Sequence, residues 1–255
     1  LDRLPAPSVC YYFQEKFVKI PILAMMTSRG CPYDCNYCAT NKIWRRKVRR
    51  NSPEHVISEI KSVLSGQNES YLSFYDDCFT LDKKWLLEFC EILIKDKIRI
   101  NWQCITSVNF VDEAVFRKIV EAGCVKVNIG VERFRQKLLE SANKKIDLDC
   151  VNKTFGLAKK HRISTAAYIM LGFPTETKYD IRLTQKLISD AKPDWVYCNV
   201  FIPLPGTEYY VWCKENGILD TAYAWRGDTI KSPVMNFTTT MNDGDSIWRL
   251  FYDTV

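Results

Sequence analysis

Three cysteines in one short segment carry the strongest chemical signal in this sequence. Cys31, Cys35 and Cys38 are spaced CxxxCxxC within residues 27–38. Thiolates are soft ligands that suit iron–sulfur clusters, and three of them leave one iron of a cubane cluster without a protein ligand. The alternative is a structural zinc site with His55 or another cysteine as fourth ligand, although no nearby residue offers the usual second ligand pair. We therefore interpret the segment as a cluster site with one open iron.

Carboxylates follow two of the predicted strands. Asp76 and Asp77 come directly after residues 71–75, and Glu132 follows a β-type run that begins at Lys126. A carboxylate suits a cationic ammonium group and can accept hydrogen bonds from two sugar hydroxyls. Loop and helix-capping chemistry is the alternative for the two aspartates. Beside a three-cysteine loop, we favour contact with a cofactor.

Two turns that contain glycine and proline follow later strands. The first is Gly-Phe-Pro-Thr-Glu-Thr at residues 172–177, and the second is Pro-Leu-Pro-Gly-Thr at residues 203–207. Glycine lets a ligand approach the backbone closely, and proline fixes the turn. Either turn alone would predict only the start of a helix. Their order behind the cysteine loop argues against coincidence.

The elements that must position these motifs alternate between short β-type runs and amphipathic helical segments, a pattern typical of βα units around a parallel sheet. The six predicted strands are residues 22–26, 71–75, 100–105, 126–129, 165–171 and 195–201. The sequence therefore predicts an α/β fold, a partial (β/α)6 barrel related to the eight-unit barrel. The iron–sulfur site and the other polar motifs all fall at the C-terminal ends of its strands.

Length and composition are those of one globular domain in a reducing compartment. The chain has 255 residues, 47% of them hydrophobic and 26% charged, and no apolar run approaches the length of a membrane span. Its eleven cysteines are an odd number, which fits a fully paired disulfide framework poorly. Residues 1–5 lack the layout of a secretory signal. We expect a cytoplasmic protein.

The eight cysteines outside the motif stand singly in mostly apolar surroundings, where a free cysteine commonly packs as a small hydrophobe. They are Cys10, Cys78, Cys90, Cys104, Cys124, Cys150, Cys198 and Cys213. Packing is the expected role of all eight. For Cys78 and Cys198, which lie near strand ends, a role as radical partner or ligand is the alternative.

The net charge of +6 is mildly positive. The most concentrated basic run consists of Arg45, Arg46, Lys47, Arg49 and Arg50. Such a run can grip phosphates, but no second basic stripe or aromatic ladder accompanies it. We favour a solvated segment beside an anionic cofactor pocket, and a nucleic-acid partner is the less favoured interpretation.

The cysteine loop resembles that of the radical S-adenosylmethionine (SAM) superfamily. Its members carry CxxxCxxC after the first barrel strand, with an aromatic residue before the third cysteine, and Tyr37 fills that position. The resemblance implies a [4Fe-4S] cluster on Cys31, Cys35 and Cys38, with SAM chelating the open iron and Tyr37 packing near adenine. One electron then cleaves SAM to methionine and a deoxyadenosyl radical. The electron is implied to come from a donor such as flavodoxin or ferredoxin.

The carboxylate motifs are similar to segments that contact SAM in the same superfamily. The resemblance implies that Asp76 and Asp77 lie near the SAM amino group, and that Glu132 contacts the ribose or the amino group. Lys144 or Lys145 occupies the place of a lysine that is common in relatives. A solvated helix end is an equally good explanation of these lysines.

The two turns extend the resemblance, which covers roughly residues 20–217. Gly172 and Pro174 belong to a Gly-x-Pro-x-Glu-Thr turn, which is implied to bring backbone close to adenine. Pro205 and Gly206 belong to a Pro-Gly-Thr turn of the same superfamily.

The order of the motifs most resembles the branch that cobalamin-dependent radical SAM enzymes share with methylthiotransferases. Residues 1–19 begin with Leu-Asp-Arg-Leu-Pro-Ala-Pro, similar to a connector after an upstream cobalamin domain. An Asp-x-His-x-x-Gly cobalamin signature is absent from the 255 residues. We predict a connector at 1–19, a radical SAM core at 20–217 and a C-terminal extension at 218–255 that weak periodicity leaves unplaced.

Three functional hypotheses follow. The first is a radical SAM enzyme that acts as a cobalamin-dependent C-methyltransferase, or a relative, on a small molecule, lipid or tetrapyrrole. The second is a radical SAM enzyme that modifies tRNA or a protein, which the basic run weakly favours. The third is a metal-stabilised binding module without catalysis, which the several SAM-pocket turns disfavour.

Overall fold

The structure is a computed structural model that describes residues 1–2, 22–64, 71–132, 139–140, 142–173 and 176–218. Apart from residues 1, 2 and 218, the predicted connector and C-terminal extension lie outside these ranges. Pro174 lies outside them as well. The division into three parts therefore stays a prediction.

Six parallel strands form the central sheet and follow one another across it in chain order. They are β1 (Ile22–Met25), β2 (Tyr71–Phe74), β3 (Asn101–Thr106), β4 (Cys124–Glu132), β5 (Ser164–Leu171) and β6 (Trp195–Val200). Within the described ranges β6 does not pair with β1, so the sheet is open. The predicted α/β fold with six βα units in a partial barrel is confirmed.

A helix follows each strand, as the sequence pattern predicts. The six helices are α1 (Pro53–Leu64), α2 (Lys83–Lys95), α3 (Glu113–Glu121), α4 (Leu148–Lys160), α5 (Lys178–Ala191) and α6 (Glu208–Glu215). Asp82 caps α2 by accepting a hydrogen bond from Trp85 N, and Asp112 caps α3 through Val115 N. These caps satisfy N–H groups that the first helical turn leaves unpaired. In the described part of the chain, no helix has the length and apolar character that crossing a bilayer requires.

Strand β4 is longer than the sequence predicts. The β-type run predicts residues 126–129, whereas the strand extends from Cys124 to Glu132. Gly130 lowers the local β propensity, yet it pairs with Tyr168 of β5, and the register shifts between Gly130 and Glu132. This bulge bends the end of β4 and changes the direction in which Glu132 points.

The core between sheet and helices is rich in aromatic side chains around β2, β3 and α2. Phe74, Phe79, Phe89 and Trp102 are fully buried. The ring centroids of Phe74 and Phe79 are 4.6 Å apart, and those of Phe74 and Trp102 are 5.6 Å apart. Such rings bury large apolar areas, so this cluster fixes the end of β2, where the segment with Asp76 and Asp77 begins, against β3 and α2.

Most of the single cysteines pack in apolar clusters, as predicted. Cys90, Cys104 and Cys124 are buried in the main core, and Cys213 is buried in a second cluster. Burial raises the pKa of Cys90 to about 12, so this thiol remains protonated at neutral pH. Cys10 lies outside the described residues.

Two short elements that the sequence pattern does not predict flank the cysteine loop. The helix Thr40–Trp44 follows the third cysteine, and Ser28–Arg29 pairs antiparallel with Arg49–Arg50. Both elements are shorter than the windows in which hydrophobic periodicity can be recognised. Together they close residues 30–48 into one unit at the end of β1.

Candidate active site

The three cysteines line one cavity at the C-terminal ends of the strands. The segment after β2 adds Asp77 to the wall of this cavity, and the end of β4 adds Glu132. Adjacent parallel strands present their carboxyl ends at one edge of a sheet, where ligand sites are commonly built. The structure therefore brings the cysteine loop and these two carboxylates together.

Hydrogen bonds to Asp34 hold the cysteine loop in shape. Arg46 Nη1 lies 2.8 Å from Asp34 Oδ2, and Asn41 Nδ2 donates to Oδ1 at 3.2 Å. From the other side, Asn143 Nδ2 donates to the Asp34 carbonyl at 2.8 Å. Asn41 also donates to the Cys35 carbonyl at 3.1 Å. The loop is thus bound to the short helix after it and to the segment before α4.

A glycine turn sets the start of the loop. Gly30 has φ of 97°, which favours glycine, and a Cβ atom there would lie 2.2 Å from the Lys47 carbonyl oxygen. Its N–H donates to Asp77 Oδ2 at 3.0 Å. This contact joins the residue before Cys31 to the end of β2.

The two aspartates after β2 lie in different surroundings. Asp76 is fully buried and accepts hydrogen bonds from Thr27 N at 3.1 Å, from Thr27 Oγ1 at 2.7 Å and from Ser28 Oγ. It ties the end of β2 to the end of β1. Asp77 lines the cavity and accepts from Thr40 Oγ1 at 3.1 Å as well as from Gly30. Asp76 is not among the described residues that line the cavity.

Arg50 is turned inward, unlike the solvated segment predicted for the basic run. Its guanidinium lies 4.5 Å from the centroid of the Trp85 ring and donates to the carbonyls of Phe79 at 3.0 Å and Cys78 at 3.3 Å. Burial lowers the pKa of Arg50, and the Asp76 carboxylate opposes that change. Arg50 thus joins the short antiparallel pair beside the cysteine loop, Ser28–Arg29 with Arg49–Arg50, to the segment after β2. Arg45, Arg46, Lys47 and Arg49 are exposed, as predicted.

Glu132 and Lys144 form an ion pair in the cavity wall. Lys144 Nζ is 3.4 Å from Glu132 Oε1, and each side chain is 17% exposed. Glu132 has φ of 69°, a left-handed conformation that a residue with a side chain rarely adopts and that the bulge in β4 imposes. Lys145 also lines the cavity. The sequence did not decide between Lys144 and Lys145, and in the structure it is Lys144 that contacts the Glu132 carboxylate.

Tyr37 belongs to an aromatic wall beside the cysteines. It is buried, lines the cavity and meets Phe173 edge to face with ring centroids 5.7 Å apart. Phe173 in turn stacks on Phe201 at 4.2 Å. Burial raises the pKa of Tyr37 well above its usual value, and the Glu132 carboxylate adds to the rise. Tyr37 therefore stays a neutral phenol.

The predicted turn residues are farther from the cavity. Gly172 N–H donates to Glu176, and Pro205 and Gly206 are exposed in the turn before α6. Gly172, Pro205 and Gly206 are not among the described residues that line the cavity. Their contacts with SAM stay predictions, and Pro174 lies outside the described part.

The cysteines fit an iron–sulfur cluster by their chemistry. All three are free thiols on one cavity. Burial raises the pKa of Cys31 and Cys35, and the Lys144 ammonium opposes the rise at Cys35, which favours the thiolate that metal binding needs. Within the described ranges, no three His, Cys, Asp or Glu side chains are gathered to ligate a single ion. A cubane does not require this, because each thiolate binds a different iron.

The sequence alone did not reveal several members of the site. For Cys78, packing was the expected role and ligand or radical partner the alternative; the structure places it on the cavity with the three predicted ligands, whereas Cys198 packs partly against the main core. Thr40 and Asn109 also border the cavity. Strand alternation predicts that only one of two neighbouring arginines points inward, but no pattern selects Arg50. These roles depend on contacts between distant segments.

Comparison with known proteins agrees with the geometry. The profile of the radical SAM superfamily matches residues 25–188. An uncharacterized methyltransferase of Pyrococcus horikoshii is 29% identical over 237 residues, which are 92% of this chain and 51% of that protein. The anaerobic magnesium-protoporphyrin IX monomethyl ester cyclase of Rubrivivax gelatinosus is 28% identical over 216 residues, 82% of this chain and 39% of the cyclase. The chain thus spans about half, or less, of the length of these relatives.

Solved structures show the same fold. The radical SAM methyltransferase TsrM of Kitasatospora setae, with cobalamin and a [4Fe-4S] cluster bound, has a TM-score of 0.71 at 18% identity. The match covers 84% of this chain and 43% of that one. The family profile spans the cysteine loop, Asp77, Glu132 and Lys144, so it covers the residues that line the cavity and strands β2 to β5. Members are enzymes that use a [4Fe-4S] cluster and SAM, and this chain belongs to the radical SAM superfamily.

Proposed function

We propose that this chain is the core of an enzyme that cleaves SAM reductively and transfers a methyl group with the help of cobalamin. The acceptor is a carbon atom of a small molecule, lipid or tetrapyrrole. The observation that carries the proposal is the single cavity bordered by three thiols, Asp77, Glu132 and Lys144. Thiolates suit the irons of a cubane, and the carboxylates suit the ammonium group and the ribose of SAM.

The two cavity carboxylates suit different parts of SAM. Asp77 is fixed by Gly30 N and Thr40 Oγ1 next to the cysteine loop, which supports contact with the SAM ammonium group near the open iron. Glu132 lies at the end of β4, the strand next to β3 in the sheet, and also borders the cavity. Its carboxylate can accept hydrogen bonds from the ribose hydroxyls. Lys144 balances the charge of Glu132 and so holds that carboxylate in place.

The aromatic wall supports a role in shielding the reaction. Tyr37 borders the cavity next to the cysteines and Phe173 packs against it, and such rings exclude water and oxygen from a reactive carbon. When bound, the reduced cluster supplies the electron that splits SAM into methionine and a deoxyadenosyl radical. The residues of the chain bind and orient SAM and substrate for that chemistry.

The methyl-transfer part of the proposal is supported by similarity. The Pyrococcus horikoshii relative is described as a methyltransferase, and TsrM is a methyltransferase solved with cobalamin. Function follows from sites more strongly than from folds, so this part needs its own test. The alternative within the family, modification of tRNA or a protein, is favoured only by the exposed basic residues beside the loop.

Anaerobic reconstitution with iron and sulfide tests the cluster and SAM cleavage. We expect a brown protein with about four irons per chain and deoxyadenosine production that requires dithionite. Cys31→Ala, Cys35→Ala and Cys38→Ala should each lose both properties. Cys150→Ala, on α4 and outside the cavity, should keep both. Zinc in place of iron, or a colourless protein inert toward SAM, would support a binding module and contradict the proposal.

Ligand retention tests the choice between the two enzymatic hypotheses. The reconstituted protein, together with the upstream cobalamin domain that residues 1–19 predict, is mixed with cobalamin or with tRNA and passed through a desalting column at moderate salt. Retention of cobalamin, seen by its absorbance, is the result expected for methyl transfer. Retention of tRNA without cobalamin would favour the alternative, because non-specific electrostatic binding weakens as salt rises.

A further inference from the structure

The positive charge of the chain is concentrated beside the cysteine loop. Residues 29–50 contain seven Lys or Arg side chains and a single acidic one, Asp34. The whole chain has 36 basic and 30 acidic side chains, a net charge of +6, so the remaining residues balance to zero. The excess charge of the protein is therefore a local feature of this segment.

Four of these seven cations form an exposed surface. We call it the basic patch and define it by Arg29, Arg45, Lys47 and Arg49, which make no ion pair with any residue in the described ranges. Together with Ile43 they border one shallow depression. Among the described residues, the charges of the basic patch are therefore not neutralised by a partner.

The other three cations are engaged within the protein. Lys42 Nζ lies 3.7 Å from Glu208 Oε1, and Arg46 pairs with Asp34. Arg50 lies over the Trp85 ring, as described above. The segment thus uses three of its cations for contacts within the protein, and those of the basic patch form no ion pair in the part of the chain that the structure describes.

An apolar centre accompanies the basic patch. Ile43 is 66% exposed and Val48 is 36% exposed, while Trp44 is half-buried between them and the loop. Protein interfaces commonly combine an apolar centre with a polar rim, and transient redox contacts are small. The exposed members, Ile43 and Val48, are aliphatic, and the one aromatic ring, Trp44, is half-buried, so this surface is less suited to stacking on the bases of a nucleic acid.

The basic patch lies directly behind the cluster ligands. A Cβ atom on Gly30, the residue before Cys31, would be 3.1 Å from Trp44 Cβ. Thr40 lines the cavity, and Trp44 lies one helical turn farther along, a rise of about 6 Å. One face of this loop therefore borders the cavity, and the other carries the exposed cations.

We propose that the basic patch is the docking surface for the protein that reduces the cluster, and that this donor presents an acidic surface around a flavin or iron–sulfur centre. One electron leaves the reduced centre of the donor and enters the cluster, so the donor is oxidised by one electron and no covalent bond forms. Opposite charges steer such partners together and raise the association rate. The inference rests on the proposed function, because it requires the cluster.

The test compares two triple variants that change the net charge equally. The patch variant is Arg45→Glu, Lys47→Glu and Arg49→Glu. The control variant is Lys84→Glu, Lys153→Glu and Lys159→Glu, three exposed positions on α2 and α4. Deoxyadenosine formation is measured with reduced flavodoxin, an acidic flavoprotein, and separately with dithionite. Binding of oxidised flavodoxin to cluster-free protein is measured by calorimetry at low and at moderate salt.

We expect the patch variant to lose about tenfold or more in flavodoxin affinity and in flavodoxin-driven turnover, and to keep its dithionite-driven turnover. The control variant should change neither by more than about twofold, and salt should weaken binding to the unaltered protein. Equal losses in both variants, or a patch variant that loses tRNA binding but keeps flavodoxin binding, would overturn the proposal. Failure of dithionite to drive turnover in the unaltered protein would instead refute the proposed function, and the binding measurement would still test the surface.

Discussion

Lys144 Nζ lies 3.4 Å from Glu132 Oε1, and this pair joins the end of β4 to the segment before α4 across the cavity wall. Burial alone would lower the pKa of Lys144, but the Glu132 carboxylate and the cysteines raise it above its ordinary value of 10.5. The ammonium ion is therefore retained at neutral pH. Glu132, whose backbone has a left-handed conformation, thus has a charged partner in the cavity wall.

Removing the cation should destabilise the protein and loosen Glu132. Lys144→Met leaves a carboxylate in the cavity wall without its partner, which should cost about 1–3 kcal/mol in the free energy of unfolding. Urea denaturation measures this cost, and the double variant Lys144→Met with Glu132→Gln should recover part of it. If the two substitutions were simply additive, the pair would contribute nothing.

The same pair predicts a pH dependence of stability. Because the pKa of Lys144 is raised in the folded protein, its contribution is fully present below pH 10.5 and is lost as the pH rises above that value. The stability difference between the unaltered protein and Lys144→Met should therefore stay constant up to about pH 9 and shrink above about pH 10.5. A difference that grew with alkaline pH would contradict this sign.

Gly130→Ala should weaken SAM binding more than stability. A Cβ atom there would lie 3.1 Å from Glu132 Oε1 and 3.8 Å from Lys144 Nζ, both at the ends of flexible side chains. The carboxylate should shift, and the Kd for SAM, measured by equilibrium dialysis, should rise several-fold. The matched control is Gly156→Ala in α4, where no atom lies within 4 Å and stability should increase by about 0.5–1 kcal/mol. Unchanged SAM affinity in Gly130→Ala would separate Glu132 from the cofactor.

Gly30→Ala should disrupt the cysteine loop. Its positive φ penalises any side chain by about 1–2 kcal/mol, and the contact with the Lys47 carbonyl at 2.2 Å would force the backbone to move. We therefore expect Gly30→Ala to lose more stability than the conformational penalty alone and to bind less iron on reconstitution. Gly217→Ala has the same sign of φ without any atom within 4 Å, so it should show only the conformational cost. Equal losses at both glycines would mean that the contact is unimportant.

Arg50→Met should separate the roles of two neighbouring arginines. Arg50 donates hydrogen bonds to the Phe79 and Cys78 carbonyl oxygens. Arg50→Met leaves both oxygens without this donor, which should cost about 1–3 kcal/mol in the free energy of unfolding. Arg49 is exposed, and Arg49→Met should change stability by about 0.5 kcal/mol or less. Urea denaturation of both variants measures the difference. A similar effect at both positions would show that the inward contacts contribute little.

Much of the architecture follows from local patterns. The order of strands and helices, and starts such as Asp82 and Asp112, were predictable because periodicity and capping involve residues only a few positions apart. The spacing of Cys31, Cys35 and Cys38 is local in the same sense. The end of β4 was not predictable, since Gly130 stays in the strand only because β5 pairs with it.

The sequence by itself determined the six βα units, their order and the three-thiol loop at the end of β1, because neighbouring residues define each of them. Only the tertiary structure decided that Asp77 rather than Asp76 borders the cavity, that Lys144 pairs with Glu132, and that Arg50 turns inward. Asp76 is 49 residues from Thr27, which it binds, and Lys144 is 12 residues from Glu132. Contacts between such distant residues depend on how strands and loops pack, and no local pattern records that packing.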